Sequence, residues 1–582
     1  MIRTGRIIGF LVTLSTVLGA AAVLLMMFQI IFDVFLRNFF SRGVPGTTTL
    51  VTNYYMIIVA YVPLALAERM DSHIAVEVVS QLLSKRLRQW LIALTWALSG
   101  IVSGMVAWAL WGEALKSYSY GSFVIEFNVP IATWPGYFAL PLGFGLYSLI
   151  LIYRLACAAV GVDASEGLNG SAGRGLMGNE LIGLGGIGAL VLLLLLRIPI
   201  GISLILVSFV GIWTISGQRP AWGLLVTVPY DFAAKWTLSS IPMFLLMGFV
   251  CFHAGLTRGL FDACRVWLVR LPGGLAVTSI FASSGFAAVT GSSVACAAAM
   301  GRIAVPQMIE NRYDPALATG SIAAAGTLGA LIPPSILLIL YGIFVQVPIG
   351  PLFIGGLGIG ILTAASYVLV IVLRVWFNPE LAPRVNDHVP IRERVAYLVS
   401  TWPIVTLVLM VLGGMFSGLF TATEAGAIGA LLAMIFSAVR GLMTRRVLWQ
   451  SLVDTLATTG TLFIISVGAN LLTRFLALSG TSELIAGTIT GLELSGIVLL
   501  VLNTAGVDLL WFGIFLVKLL EVGMITPPIG INVFVIKSVV GNLASLSTIF
   551  RGVLWFLVAD VVVLALVIFF PALVTYLPSL LR

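Results

Sequence analysis

Two apolar segments of the chain are interrupted by residues that could bind an ion. In residues 275–306, apolar and small side chains give way at the centre to Thr290-Gly291-Ser292-Ser293. Each arm has roughly 15 residues, or about 22 Å of helix, which is shorter than the roughly 30 Å hydrocarbon core of a bilayer. The pattern therefore predicts a re-entrant helical hairpin with a polar tip, covered by protein or by a wet cavity. One kinked span whose serines bond back to their own helix is the alternative.

The following segment is interrupted by Pro333-Pro334, just after Gly326-Thr327-Leu328-Gly329. Two prolines remove two amide donors and clash with the preceding turn, and glycines permit unwinding. We therefore expect a broken helix whose freed carbonyl oxygens point into a site. Carbonyl and hydroxyl oxygens suit a hard cation such as sodium, and the discontinuous helices of transporters use them in this way.

A second pair of adjacent prolines, Pro527-Pro528, interrupts an apolar segment near the carboxyl end of the chain. A constant offset of 194 residues relates an aspartate, a glycine and two prolines of the two segments: Asp314, Gly329, Pro333 and Pro334 in the first, and Asp508, Gly523, Pro527 and Pro528 in the second. The shared landmarks indicate an internal repeat. Interrupted helices at corresponding positions of two halves mark the binding site of a transporter.

The elements that position these residues must be membrane helices, because the chain is too apolar for a soluble protein. Of its 582 residues, 60% are hydrophobic and only 9% are charged, whereas soluble domains carry about 25% charged residues. A span needs about 20 apolar residues, so the chain has room for a dozen or more. We predict an all-α polytopic membrane protein in contact with the lipid bilayer.

The net charge of +8 would suggest nucleic-acid binding in a soluble protein. Here the basic residues lie mainly in short loops between apolar runs, which is the pattern of cytoplasmic loops. We therefore expect no nucleic-acid partner. Arg3 and Arg6 precede the first apolar run, and this predicts a cytoplasmic N-terminus.

The apolar runs divide the chain into three parts. Residues 1–160 form a small unit of four spans, with an amphipathic helix at 74–90 that lies on the membrane interface. Residues 161–180 are rich in Gly, Ser and Asn and form a linker. Residues 181–582 form a large transport unit, with repeat one at about 241–376 and repeat two at about 425–545.

Several motifs resemble those of a known family. They are Thr290-Gly291-Ser292-Ser293-Val294-Ala295, Tyr313-Asp314-Pro315, the run from Gly326 to Ser335, Phe420-Thr421-Ala422-Thr423-Glu424-Ala425 and Thr526-Pro527-Pro528-Ile529-Gly530, with a looser likeness at Arg69-Met70-Asp71-Ser72-His73 and 130–141. The chain resembles the membrane component of tripartite ATP-independent periplasmic (TRAP) transporters, with a DctQ-like small subunit fused to a DctM-like large one.

The resemblance implies an inverted-repeat, elevator-type transport unit that carries out sodium-coupled uptake of an organic acid, a C4-dicarboxylate or similar carboxylate, across the bacterial inner membrane. A separate periplasmic substrate-binding protein would deliver the acid. The resemblance implies a first sodium site at Thr290, Ser292, Ser293, Gly329, Ile332 and Pro334. The internal repeat suggests a second site at Gly523, Thr526 and Pro528, and the candidates for facing the substrate are Ser335, Asn532 and Glu521.

The second repeat departs from the family pattern. Before Asp508 there is one apolar segment, 484–502, where the resemblance leads us to expect a span followed by a second hairpin. The chain is therefore short by about one hairpin. Either 484–502 is a rebuilt hairpin or half of the substrate clamp is lost, and the second sodium site is the weaker prediction for that reason.

We interpret the isolated charged residues of the large unit as structural. Lys518 and Glu521 lie three residues apart on one helix and are expected to pair. Glu424 is expected to fix a helix end, and Asp560 lies in an apolar run without an evident partner.

Three hypotheses for function remain open: a TRAP permease, a sodium-coupled elevator carrier that needs no binding protein, and a transport-impaired variant without the second hairpin. No grouping of His, Cys, Asp or Glu suggests catalysis or a metal site beyond sodium. No phosphate-binding loop suggests direct use of ATP. An enzyme is therefore not predicted, and a channel would not explain the paired broken helices.

Overall fold

The computed structural model describes residues 2–40, 43–70, 85–126, 129–159, 179–196, 198–383, 389–481, 508–527 and 530–580. Among these residues, nine helices are long and apolar enough to cross a membrane, or ten if the bent pair Ile391–Ser400 and Trp402–Phe416 counts as one span. The predicted all-α polytopic class is confirmed. Nearly all of the predicted linker, most of the predicted interfacial helix and all of segment 484–502 lie outside the described residues.

The described residues form α-helices and one pair of short strands. They are α1 (Ile2–Phe40), α2 (Thr47–Leu50), α3 (Met56–Tyr61), α4 (Leu64–Arg69), α5 (Lys85–Ser119), β1 (Phe123–Glu126), β2 (Val129–Ala132), α6 (Trp134–Tyr137), α7 (Ala139–Ala159), α8 (Asn179–Leu195), α9 (Ile200–Ser216), α10 (Gln218–Ala233), α11 (Ser240–His253), α12 (Arg258–Leu268), α13 (Gly274–Thr290), α14 (Ser293–Glu310), α15 (Pro315–Thr327), α16 (Ile336–Val345), α17 (Ile349–Phe377), α18 (Ile391–Ser400), α19 (Trp402–Phe416), α20 (Ala422–Val439), α21 (Arg445–Leu478), α22 (Leu509–Ile525), α23 (Ile531–Val540), α24 (Leu546–Phe569) and α25 (Ala572–Ser579).

The described residues form two compact units. One lies within Met1–Pro242 and Leu452–Gly496, and the other within Met243–Ser451 and Ile497–Arg582. The predicted division at residues 161–180 and the extents of the two repeats are not tested by this grouping and stay predictions.

Close helix contacts and an ion pair between α4 and α7 help to hold the first unit together. At Gly143 of α7, a Cβ would overlap the carbonyl oxygen of Tyr61, so this glycine lets α7 lie against the end of α3. The guanidinium of Arg154 lies 2.8 Å from Glu68 Oε1. Sequence analysis did not predict the antiparallel pair β1 and β2, because two strands of four residues are too short to show a clear alternation.

In the second unit, α13 and α14 form the predicted hairpin. The thiol Sγ of Cys296 lies 3.5 Å from the carbonyl oxygen of Ser283. These residues are 13 positions apart and would be about 20 Å apart along a straight helix, so the chain must reverse between them. This confirms the hairpin over the single kinked span.

Both predicted helix breaks are present. The first lies between α15 and α16, where a short 3-10 turn, Leu328–Ala330, precedes the prolines, and the second lies between α22 and α23. The repeated aspartates begin the broken helices: Asp314 Oδ1 accepts from Leu317 N at 2.8 Å, and Asp508 Oδ1 accepts from Leu510 N at 2.9 Å. Capping of a helix N-terminus explains why an aspartate recurs at the same offset.

Substitution of Gly143 by Ala is expected to lower the melting temperature of the purified protein in detergent, because the added methyl group would force α7 away from α3. Gly145→Ala is the matched control two residues along the same helix. Its Cβ would meet only the Ala107 side chain, at 4.0 Å, and alanine favours helix over glycine by about 1 kcal/mol. Equal melting temperatures for the two variants would contradict this account of the contact.

Candidate functional site

The hairpin tip consists of Gly291 and Ser292. Gly291 has a φ of 59°, which favours glycine, and a Cβ there would overlap the carbonyl oxygen of Pro334. Ser292 begins α14 as its N-cap and accepts a hydrogen bond from Ala295 N at 3.4 Å. The tip therefore lies directly against the break between α15 and α16.

Ser293 and Gly329 fix the tip from two sides. The hydroxyl of Ser293 donates to the carbonyl oxygen of Gly326 at 3.0 Å and lies 3.4 Å from that of Thr327. At Gly329, a Cβ would lie 3.0 Å from the carbonyl oxygen of Ser292. The structure thus brings together four of the six residues predicted for the first sodium site, namely Ser292, Ser293, Gly329 and Pro334.

The other two predicted residues, Thr290 and Ile332, lie nearby, but their polar groups form hydrogen bonds within their own segments. The Thr290 hydroxyl donates back to the carbonyl oxygen of Phe286 at 3.1 Å. Ile332 is buried, and its amide donates to the carbonyl oxygen of Leu328 at 2.9 Å. The arrangement concentrates backbone carbonyl oxygens around the tip, which is the chemistry that a sodium ion needs, and the assignment of sodium itself stays a prediction.

The second predicted site differs from the first at its equivalent glycine. Among the described residues no atom lies within 4 Å of a Cβ placed at Gly523, whereas Gly329 is packed against the tip. The hydroxyl of Thr526 donates back to the carbonyl oxygen of Val522, and Pro528 lies outside the described residues. The structure therefore brings no second tip to Gly523 within the part of the chain that it describes.

A buried charge cluster joins the second broken helix, α22, to α24. Lys518 Nζ lies 3.0 Å from Glu521 Oε2 and 2.7 Å from Asp560 Oδ1, and all three side chains are fully buried. The predicted pairing of Lys518 with Glu521 is confirmed. Asp560, which has no evident partner in the sequence, pairs with Lys518, 42 residues away, because helical spacing reveals only neighbours on the same helix.

Tyr367 connects this cluster to the first broken helix. Its hydroxyl donates to Asp560 Oδ1 at 2.7 Å and lies 3.3 Å from the Thr327 hydroxyl. A continuous set of polar contacts therefore runs from Ser293 at the hairpin through Thr327, Tyr367 and Asp560 to Lys518. Sequence analysis missed Tyr367, since nothing in its local pattern distinguishes it from a core aromatic residue.

The three residues predicted to face the substrate are all buried. Ser335 is the N-cap of α16: its hydroxyl donates to the carbonyl oxygen of Ala330 and accepts from Leu338 N at 3.3 Å. Their contact with a substrate stays a prediction, and for Glu521 the pairing with Lys518 supplies a structural role.

Asn532 reaches from the second repeat to the first. Its Nδ2 donates to the carbonyl oxygen of Ala323 at 3.3 Å, and its Oδ1 has no hydrogen-bond partner among the described residues. A Cβ at Gly326 would lie 3.2 Å from the same Nδ2. The amide therefore lies beside the carbonyl group that accepts the Ser293 hydrogen bond.

Glu424 fixes a helix end, as predicted. Its carboxylate accepts from the backbone amide of Thr421 at 2.8 Å, and the Thr421 hydroxyl accepts from Glu424 N in return. This capping box starts α20.

Comparisons with known proteins agree with the architecture. Residues 187–505 and 494–573 match the model of the family described as "Tripartite ATP-independent periplasmic transporter, DctM component", and residues 26–161 match the DctQ component. The chain is similar to the C4-dicarboxylate TRAP transporter large permease protein DctM of Pseudomonas aeruginosa, with 33% identity over 60% of this chain and 88% of the relative.

Two further relatives have other named substrates. The sialic acid TRAP transporter permease protein SiaT of Haemophilus influenzae is 28% identical over 60% of each chain. The isethionate TRAP transporter permease protein DctMQ of Oleidesulfovibrio alaskensis is 26% identical over 75% of this chain and 74% of the relative. The three relatives are named for different acids.

The buried cluster predicts unequal effects for two substitutions. Lys518→Met leaves two buried carboxylates without their cation and is expected to cost about 3–5 kcal/mol of stability. Asp560→Asn keeps the Lys518–Glu521 pair and still offers an oxygen to Tyr367, so a smaller loss is expected. Denaturation of both purified variants in detergent measures the difference, and a larger loss for Asp560→Asn would contradict the assigned geometry.

Proposed function

Because the chain belongs to the tripartite ATP-independent periplasmic transporter family and carries its DctQ and DctM components together, we propose that it takes up a small organic acid in symport with sodium. The observation that carries this proposal is the junction of the hairpin tip with the first broken helix. There Ser292 lies against Gly329, and Ser293 donates to Gly326. We also propose that the chain lies in the bacterial inner membrane and that a periplasmic substrate-binding protein delivers the acid to it.

The names of the relatives support an acidic substrate. C4-dicarboxylates, sialic acid and isethionate differ in size and in hydroxyl content, but each carries a carboxylate or a sulfonate. An anionic group is therefore the common requirement, and a C4-dicarboxylate or similar carboxylate is the substrate class that we propose here.

The proposed coupling to sodium depends on the effect of a bound ion on the junction between the hairpin tip and the first broken helix. Carbonyl dipoles that point toward one another repel, and a bound cation removes that repulsion. An ion held between the tip and the broken helix would fix Gly291 and Ser292 in place. In this proposal the tip also borders the substrate, so its ordering would couple ion binding to substrate binding.

The orientation of the chain rests on its basic residues. Arg3 and Arg6 precede the first apolar run, and basic residues next to a span favour the cytoplasmic side. The N-terminus would therefore be cytoplasmic.

A transport-impaired variant is the second candidate, and one observation favours it. The family model matches in two pieces that overlap at residues 494–505, within the stretch where the predicted loss of a hairpin falls. That stretch lies outside the described residues.

Uptake by the purified chain in proteoliposomes separates these candidates. Labelled succinate, 4-methyl-2-oxopentanoate, isethionate and sialic acid would be offered with and without a sodium gradient and a binding protein encoded beside this gene. We expect uptake of at least one acid that requires both. Uptake with sodium alone would indicate an independent carrier. No uptake, restored by grafting a hairpin before Asp508, would identify the impaired variant.

The double substitution Ser292→Ala and Ser293→Ala is expected to raise the sodium concentration for half-maximal uptake at least tenfold, because it removes the hydroxyl that joins the hairpin to α15. Ser284→Ala, on the same hairpin, is the control: its hydroxyl donates back to the carbonyl oxygen of Ile280 at 2.9 Å and should not affect sodium dependence. Unchanged sodium dependence in the double variant would contradict the site assignment.

A further inference from the structure

The antiparallel strands β1 and β2 form a ribbon with apolar side chains exposed on both faces. Successive residues of a strand point to opposite faces, and in β1 Phe123, Val124 and Ile125 are 58%, 45% and 64% exposed. Val129 of β2 is exposed as well. A two-stranded ribbon is only marginally stable by itself in water, and contiguous exposed apolar side chains mark an interaction surface. The ribbon therefore needs a partner that covers both of its faces.

The ribbon is held in place by polar contacts with the chain that precedes α5. Glu126 is the one charged residue among the described residues of the two strands, and its carboxylate accepts from Thr49 N at 2.9 Å and from the Thr49 hydroxyl at 2.5 Å. The Tyr54 hydroxyl donates to the carbonyl oxygen of Ala132 at 2.5 Å. These contacts fix the ribbon to α2 and to the turn that follows it, and they leave the apolar side chains of β1 uncovered.

The α5 helix leads into the ribbon with one exposed apolar face. Leu94, Ile101, Trp108 and Leu115 recur every seven residues and are all exposed, so they form a stripe along one side of the helix. Leu115 follows Leu94 by 21 positions, or about 32 Å of helix, which matches the roughly 30 Å hydrocarbon core of a bilayer. This stripe is therefore a lipid-facing surface, and the ribbon begins just beyond its end.

Aromatic contacts place the base of the ribbon at the end of the stripe. Tyr118 of α5 packs edge to face on Trp134, which follows β2 closely, with ring centroids 4.8 Å apart. Trp111 packs in the same way on Phe138, at 5.6 Å. Tyr120, just before β1, is exposed. Trp and Tyr concentrate where the hydrocarbon meets the headgroups, so this is the level at which the ribbon leaves α5.

We propose that the ribbon inserts into the headgroup region of one membrane leaflet and that phospholipid covers its apolar faces. Continuity with the lipid-facing stripe of α5 favours lipid over a protein partner. The charge pattern favours it too, because Glu126 is engaged with Thr49 and the described residues of the strands offer no other charge to a protein. The headgroup level also suits the backbone, since water there satisfies the unpaired strand edges and hydrocarbon would not.

The inserted ribbon anchors the first unit at a fixed depth. It is continuous with the end of α5, and α5 is joined to α7 by a hydrogen bond from the Ser148 hydroxyl to the carbonyl oxygen of Gly100 at 2.8 Å. Movement of α5 along the membrane normal would pull Phe123 and Ile125 out of the lipid. This inference depends on neither the substrate nor the ion proposed above.

Photocrosslinking to lipid tests the proposal. The photoreactive residue p-benzoylphenylalanine replaces Phe123 or Ile125, one at a time, in the full chain in nanodiscs that contain radiolabelled phosphatidylethanolamine. We expect a lipid yield within about twofold of that from Ile101 on the stripe and at least fivefold above that from Glu113. Glu113 is the matched control, because it lies near the same end of α5 on the opposite side of the helix and pairs with Lys116.

A second variant tests whether the apolar side chains themselves insert. With the crosslinker at Tyr120, the double substitution Phe123→Ser and Ile125→Ser is expected to lower the lipid yield at least threefold. In the same double variant, the yield from Ile101 should be unchanged, which shows that α5 still spans the bilayer.

Lipid yields from Phe123 and Ile125 as low as that from Glu113 would overturn the proposal. An unchanged yield from Tyr120 in the double variant would contradict insertion of the two side chains. Crosslinks from Phe123 and Ile125 that form to an added periplasmic substrate-binding protein, and not to lipid, would also overturn it and would identify the ribbon as a protein-docking surface.

Discussion

The contact between the hairpin tip and the first broken helix is the constraint on which the rest of the second unit depends. Two stretches of non-helical backbone meet there without side chains between them, since Gly291 faces Pro334 and Gly329 faces Ser292. Non-helical backbone at membrane depth survives only when its polar groups are satisfied by protein or by a wet cavity. The glycines allow the approach, and the prolines keep the chain from resuming a helix across the contact.

The polar network behind this contact gives it a rigid support. Thr327 lies between the hairpin and Tyr367, and Tyr367 leads to Asp560 and Lys518. A buried ammonium shared by two carboxylates is costly to assemble and more costly to break. The first broken helix is thereby joined to α22 of the second repeat through a set of contacts with defined geometry.

The features that could be predicted from the sequence are those encoded over a few residues. The hairpin tip, the proline breaks, the pairing of Lys518 with Glu521 and the capping role of Glu424 all follow from local spacing and backbone chemistry. The partner of Asp560 could not be predicted from the sequence, because the contact crosses between distant segments.

The two repeats show which structural features a constant sequence offset predicts. Asp314 and Asp508 play the same capping role, and each proline pair interrupts a helix. Among the residues that the structure describes, the offset does not extend to the packing of the equivalent glycines, because the partner of Gly329 is the tip of a hairpin that comes from another part of the chain. Equivalent positions in a repeat therefore share backbone geometry, while a binding site also requires the partner element.

Equilibrium binding of radiolabelled sodium to the purified full chain tests the central claim most directly, since it requires neither a substrate nor a binding protein. The junction predicts saturable binding that unlabelled sodium displaces and potassium does not, and that Ser293→Ala weakens at least tenfold. Absence of saturable binding, or equal binding by wild type and Ser293→Ala, would contradict the account.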